Sequence, residues 1–302
     1  MNEPRTADVA GSLHFQTVVL PSDGSPSSLA ALPTGRALGE RFDARLVIVA
    51  VAADADDART LQHSVQDALR DTIDNESVEV IIGDDPAKVI VALTEEFGPS
   101  VVCMSTRGRG RVSGSLVGSV ARSVIQLSTS PIVVVGPQAD RPGWLVGRPR
   151  RRPASWPAPL SRGGILACVD GSSDSEAVLT EAARWAGALD KPLSIVTVAE
   201  DAAADWNGHR PNRFGPENPQ QYVDELAACW RDTRPNTIGT VVYDPIGVAS
   251  GLRSHLASQP VALVAVSSHA RTGLDRLRFG ATSAEIVAAS TAPVLVVPVT
   301  GR

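Results

Sequence analysis

The residues best suited to chemistry lie between Ser105 and Ser119. Glycines at 108, 110, 114 and 118, arginines at 107, 109 and 111, and several hydroxyls follow an apolar run and precede a helical pattern. Glycine lets the backbone approach an anion with no Cβ in the way, and neighbouring N–H groups then form an anion-binding concavity. Gly118-Ser119 opens a helix whose apolar positions include Val120, Val124 and Leu127. Its free N–H groups and dipole favour an anion, and the Ser119 hydroxyl adds a donor. Together with the arginine charges, these features specify a phosphate site. It is not a Walker A loop, because no Gly-Lys-Ser/Thr follows, and Gly108, Gly110 and Gly114 have the wrong interval for GxGxxG. The Arg-Gly-Arg-Gly-Arg tract is too short, and too deeply set in a patterned domain, for a nucleic-acid tail. An ordinary strand-to-helix loop is the competing reading.

The second candidate is Asp23, in Asp23-Gly24-Ser25 at the end of the apolar run Thr17 to Leu20. A carboxylate there is placed to hydrogen-bond a ribose or a base. The alternative is a turn-forming residue bonded to its own backbone.

These features recur, and the recurrence sets the architecture. Ile165 to Val169 leads to Asp170-Gly171-Ser172; Val101 to Arg107 matches Leu263 to His269, each running through a loop to Gly118 or Gly280; Ser130 to Val135 matches Ala292 to Val297. The spacing between copies is 147 residues at the aspartates and 162 at the later glycines, so the second copy carries about fifteen extra residues. The polar stretch Asp201 to Gln220 reads as the loop that holds them.

Apolar runs at Leu46 to Val51, Val78 to Ile82, Leu193 to Val198 and Thr240 to Tyr243 complete five strands per copy. Helical patterns lie between them. The expected fold is α/β, two doubly wound five-stranded parallel-sheet domains in tandem. Ligands of such sheets bind beyond the carboxyl ends of the strands, where the strand order reverses. Ser25 before Pro26 reads as one helix cap, and Ser173 three residues before Glu176 as another. Pro33 should kink or shorten the helix that contains it. The domain boundaries are 1–136 and 164–302, separated by a basic linker, 137–163, that includes Arg148 to Pro153, Trp144 and Trp156.

Composition agrees. Aromatic residues make up only 4 % of the chain, so the core must come from Val, Leu, Ile and Ala, as suits buried parallel strands. The net charge of −5 divides into −6 for 1–136, +5 for 137–163 and −4 beyond. A basic excess confined to the linker argues against a nucleic-acid face. No segment has the apolar length of a signal peptide or a membrane span, and Cys103, Cys168 and Cys229 have no CxxC partner. A soluble cytoplasmic protein with reduced, buried thiols is expected. The five histidines, among them His269 with Arg271 on the second copy's loop, show no metal-ligand spacing.

The first copy resembles the universal stress protein family, whose nucleotide-binding members carry Gly-x2-Gly-x9-Gly-Ser/Thr after the fourth strand. Here the motif reads Ser105-x2-Gly108-x9-Gly118-Ser119, with Asp-Gly-Ser upstream and Gly83-Asp84-Asp85-Pro86 between. The resemblance implies a Rossmann-like fold of the HUP type and binding of ATP, with Mg2+ accompanying the triphosphate. Asp23 would lie against the adenosine, Val51 would present backbone groups to the adenine edge, and Ser105, Gly108, Gly118 and Ser119 would surround the phosphates. The second copy reads Ser267-x2-Ala270-x9-Gly280-Ala281, so Asp170, Val198, Gly280 and Thr282 mark a site expected to be weak or empty. The resemblance further implies that the two copies pair through their last strands as an intramolecular pseudo-dimer, with a homodimer also open.

A nucleotide-dependent stress or regulatory module is therefore expected, with no dedicated catalysis. Lys88 and Lys191 are the only lysines, and no His-x-Gly-His is present. A nucleotide-free scaffold and a slow ATP hydrolase are the alternatives.

Overall fold

A computed structural model describes residues 13–69, 77–108, 116–139, 159–200, 216–268 and 279–299. It divides into two compact units, His14–Pro137 and Gln138–Arg302 with Met1–Leu13. Arg109 to Ser115, linker residues 140–158 with Trp144 and Trp156, residues 201–215, and His269, Ala270 and Arg271 lie outside the described residues.

The first unit runs β1 Thr17–Pro21, α1 Leu32–Phe42, β2 Arg45–Ala52, α2 Ala55–Leu69, β3 Ser77–Ile82, α3 Pro86–Glu96, β4 Ser100–Ser105, α4 Ser119–Leu127 and β5 Ile132–Val135. All strand pairings within it are parallel, in the order β3-β2-β1-β4-β5. From β1 the chain winds outward through α1 and α2, then crosses back through α3 to β4. Right-handed crossovers put α1 and α2 on one face, with α3 and α4 packed together on the other. The strand order reverses between β1 and β4. Sandwiched strands carry near-continuous apolar sequence for this reason: Val18, Val19, Leu20, Val133 and Val134 are inaccessible to solvent. The edge strand β3 is half-exposed.

The second unit repeats the scheme. It runs β6 Gly164–Cys168, α5 Ser173–Glu176, α6 Val178–Ala188, β7 Leu193–Ala199, α7 Pro219–Trp230, β8 Ile238–Tyr243, α8 Val248–Ser258, β9 Val261–Ser267, α9 Ala281–Ala289 and β10 Val294–Val297. Its parallel order is β8-β7-β6-β9-β10. Trp185 and Trp230 are the largest buried side chains among its described residues.

Local details correct the expectations in five places and decide between the two alternatives for Pro33. Ser25 does not cap a helix at Pro26: its Oγ accepts the Ser28 N–H at 3.2 Å, a 3-10 turn spans Ser28–Ala31, and α1 starts at Leu32. Pro33 sits in the first turn of α1, where its missing N–H costs nothing, so it shortens the helix without kinking it. In the second unit Ser172, not Ser173, is the cap, accepting the Ser175 N–H at 3.2 Å. The extra loop ends earlier than expected, because Pro219 and Gln220 already belong to α7, capped by Asn218. On α4 the buried residues are Ala121, Val124 and Ile125, whereas Val120 and Leu127 are exposed. Finally, Cys103 is buried and Cys168 half-buried, but Cys229 is exposed on α7.

Candidate functional site

The carboxyl ends of β1 and β4 meet where the strand order reverses. After β1, the Ser22 N–H continues the ladder to the Val49 carbonyl at 2.8 Å, and the chain then turns sharply. Gly24 adopts φ +75°, and its N–H donates to Ser22 Oγ at 3.1 Å. The Ser22 hydroxyl is also hydrogen-bonded to Ser28 Oγ at 2.8 Å. Asp23 is half-buried, and its Oδ1 accepts the Ser25 N–H at 3.0 Å. The turn-forming role is therefore present, and it engages one carboxylate oxygen. The other oxygen faces Gly108, where a Cβ would stand 2.3 Å from Asp23 Oδ2. Glycine at 108 is what allows the β4 loop to close on the aspartate.

At the end of β4, Ser105 and Thr106 are buried. Thr106 donates to the Val135 carbonyl at 3.1 Å, and its own carbonyl accepts the Gly118 N–H at 2.7 Å. The loop thus leaves and returns at one point. Gly118 has φ −63°, a value open to any residue, so the requirement for glycine is steric: a Cβ would lie 3.0 Å from the Thr106 oxygen. Its N–H is taken by that carbonyl, so anion donors must come from the next turn, at Ser119, Val120 and Ala121. No side chain caps α4 among the described residues, and Ser119 is exposed at its start.

Val51 is half-buried at the end of β2. Beside it a Cβ on Gly83 would lie 3.8 Å from Val51 Cγ1 and 2.7 Å from Val89 Cγ2, so this glycine lets α3 approach the strand ends. Asp85 caps α3, accepting from the N–H groups of Ala87 and Lys88 at 3.1 and 3.3 Å. The Lys88 N–H is the main reason the Asp85 carboxyl is held below its ordinary pKa. Arg107 is exposed at the loop's entry.

The structure therefore brings Asp23, Gly108, Gly118 and the start of α4 to one end of the sheet, with Val51 one strand over. No group of three or more His, Cys, Asp or Glu with metal-binding geometry occurs among the described residues.

In the second unit the same positions differ in chemistry. Asp170 Oδ1 accepts both the N–H and the hydroxyl of Ser172, at 3.0 and 2.6 Å. Gly280 donates to the Ser268 carbonyl at 3.1 Å, as Gly118 does to Thr106. Ala281 offers no hydroxyl, and the Ser283 hydroxyl is directed inward to the Ser267 carbonyl at 2.9 Å. Thr282 is half-buried one position further on. Val198 is buried, with Gly251 packed so that a Cβ there would lie 3.1 Å from Val198 Cγ1.

One residue at this end, Tyr222, has no place in the sequence reading, and its partner Glu176 figures there only as a capping-box acid. Tyr222 Oη donates to Glu176 Oε1 at 2.9 Å, joining α7 to α5 beside the Asp170 turn. Burial, reinforced by the charge of Glu176, raises the phenol's pKa strongly. The legible signal was substitution between the copies: Val169 replaces Ser22, and Glu176 replaces Leu29.

A family model described as "Universal stress protein family" matches residues 14–136 and 163–298. The chain belongs to the universal stress protein family. Curated universal stress proteins resemble it across much of its length. One from Mycobacterium tuberculosis is 26 % identical over 215 residues, covering 65 % of this chain and 58 % of the relative. Another, from Mycolicibacterium smegmatis, is 28 % identical over 145 residues, covering 44 % and 47 %. The chain thus spans 58 % of the length of the Mycobacterium tuberculosis relative. Among solved structures, a universal stress protein from Archaeoglobus fulgidus superposes with a TM-score of 0.61 at 14 % identity, covering 94 % of this chain and 98 % of its own. A putative universal stress protein from Pseudomonas aeruginosa gives 0.58 at 13 %, covering 94 % and 93 %. At such identities the likeness is one of fold, and it extends over both units. No described helix of this universal stress protein is long and apolar enough to cross a membrane.

Proposed function

We propose that this tandem universal stress protein is a cytoplasmic regulatory module that binds ATP in its first copy and leaves the second without triphosphate. The single observation that carries the reading is the approach of Gly108 to Asp23, which only a residue without a side chain permits. On this reading the carboxylate and the glycine backbone would form one wall of a cradle, with the start of α4 at the same end of the sheet. Asp23 would hold the ribose or base, and the backbone of Val51 the adenine edge. Gly108, the first turn of α4 and the Ser119 hydroxyl would hold the phosphates, with Ser105 and Gly118 shaping the loop. Magnesium would arrive with the triphosphate and neutralise part of its charge, since no carboxylate cluster is dedicated to it among the described residues.

Binding without dedicated catalysis is part of the same proposal. Lys88 lies at the start of α3, paired with Asp85 at 3.3 Å and largely exposed, in the manner of a surface cap and not of an activating lysine. Pairing of the two copies through β5 and β10 is also carried as a proposal, on the family resemblance.

Calorimetric titration of nucleotide-stripped protein with ATP and Mg2+ tests the reading. One equivalent, lost in Asp23→Ala and kept in Asp170→Ala, supports it. Absence of heat in the unaltered protein would put a nucleotide-free scaffold in its place, and sustained phosphate release abolished by Asp23→Ala would make it a hydrolase.

A further inference from the structure

The two Asp-Gly-Ser turns share a left-handed glycine, Gly24 at φ +75° and Gly171 at φ +85°, but are completed by different groups. In the first copy serines brace the turn: Gly24 donates to Ser22 Oγ, and Ser22 is held by Ser28. In the second copy Val169 stands where Ser22 does and offers no acceptor. The Asp170 N–H is taken by Ser175 Oγ at 3.0 Å, and beside the turn the Tyr222 phenol donates to Glu176, which replaces the apolar Leu29.

The register of the helices identifies the counterpart of Tyr222. Buried Val223 and Ala227 of α7 correspond to buried Leu61 and Val65 of α2, which sets Tyr222 against Thr60. Thr60 is exposed, and among the described residues its hydroxyl bonds only back to the Asp56 carbonyl of its own helix at 3.1 Å. Three replacements, Ser22 by Val169, Leu29 by Glu176 and Thr60 by Tyr222, therefore act on one spot. A fourth contact lies beside them. Gly171 has φ +85°, and a Cβ there would stand 3.4 Å from Pro216 Cδ, so the chain leading into α7 lies against the turn. In the first copy α2 follows β2 after only two residues, and the Asp57 carboxylate accepts the Ala53 N–H at 3.0 Å, which keeps that connection at its own strand end.

We infer that Tyr222 fastens the start of α7 across the Asp170-Gly171-Ser172 turn, so that the second copy's cleft is covered by its own chain at the position where a nucleoside would seat. The inference rests on reading the Asp-Gly-Ser turn as the nucleoside end of the site. It adds a cause for the second copy's silence that the loss of glycine and hydroxyl at 270 and 281 does not supply. Those losses weaken phosphate binding alone, whereas the Tyr222 tether excludes the nucleoside itself. The ligand class admitted on release is accordingly a nucleoside without a triphosphate.

The test uses the full chain and its Tyr222→Phe variant, which keeps the ring and removes the hydroxyl. Amide exchange of residues 170–176 reads the tether, and equilibrium dialysis with labelled adenosine reads the cover. Tyr222→Phe should exchange several-fold faster in that segment and bind one more equivalent of adenosine than the unaltered chain. The quantity read is the increment, zero to one or one to two, so it stands whether or not the first copy binds. Failure of the first copy appears separately, in the unaltered chain's own titration with ATP. Glu176→Gln, which removes the carboxylate's charge, should exchange at an intermediate rate. Unchanged exchange in Tyr222→Phe overturns the tether, and faster exchange with no added equivalent overturns the cover.

Discussion

Gly108 stands so close to Asp23 that a Cβ at 108 would lie 2.3 Å from the Asp23 carboxylate oxygen Oδ2 and 3.1 Å from its Cγ. Neither distance is tolerable, so a side chain at 108 must move either the loop or the carboxylate. Both residues are half-exposed, and relaxation there leaves the core untouched. Gly108→Ala should therefore melt within a few degrees of the unaltered protein while its ATP affinity falls at least about tenfold, roughly 1.4 kcal/mol. Calorimetry paired with thermal melting checks the split.

Gly118 and Ser119 should respond less. The Gly118 backbone suits any residue, and its Cβ would meet the Thr106 oxygen at 3.0 Å, which a shift of a few tenths of an ångström relieves. The proposed role of Ser119 is one hydrogen bond, worth about 0.5–1.5 kcal/mol. Each alanine variant should thus weaken ATP binding less than Gly108→Ala does. A larger loss in Gly118→Ala would mean that the Thr106 contact positions the whole loop.

Much of the fold was legible because a sandwiched parallel strand has one signature, a short apolar run, and the run Leu193 to Val198 falls one residue short of β7 at Leu193–Ala199. Helix starts were less legible. Ser25-Pro26 and Ser173 both satisfy the local pattern of a cap, but at each the turn's other bonds win. Ser22 and Ser28 hold the first turn in a 3-10 path, and Ser172 is nearer to the Ser175 amide. The stripe on α4 departs from the apolar pattern because Ala121, a small residue, is buried where the larger Val120 is exposed. At the site, Asp23 and Gly108 could be named from motif spacing, whereas Tyr222 could not. Its partner Glu176 is 46 residues away, beyond the reach of any local pattern.

Acid should reveal the Asp85 cap. The N–H of Lys88, then its side chain, hold the Asp85 carboxyl below its ordinary pKa. A carboxylate whose pKa falls on folding stabilises the fold at every pH above its unfolded value, and loses that contribution as pH drops through the folded one. The melting temperature of the unaltered protein should accordingly exceed that of Asp85→Asn by a constant margin from pH 7 to 5. The margin should shrink below about pH 4. A margin unchanged at pH 3 would show that the amide caps α3 as well as the carboxylate does.

The three thiols should separate by reactivity. Cys229 is exposed on α7, Cys103 is buried and donates to the Ala31 carbonyl at 3.8 Å, and burial pushes the half-buried Cys168 thiol up to about 12. Since the thiolate is the reacting species, a disulfide reagent at pH 8 should label one thiol per native chain quickly. Three should react after denaturation, and Cys229→Ser should abolish the fast phase.

Trp230 offers a test of the second unit's core. Its side chain is inaccessible to solvent, and its indole N–H has no acceptor among the described residues. Trp230→Ala should cost about 3–5 kcal/mol in urea unfolding, the range for removing a large buried ring. Trp230→Phe leaves a smaller cavity and also removes the unpaired N–H, whose burial costs about 1–3 kcal/mol. These two effects oppose each other, so the phenylalanine variant should lose well under half of what the alanine variant loses. Equal losses would mean that the indole N–H is satisfied by a buried water, which Phe would leave stranded.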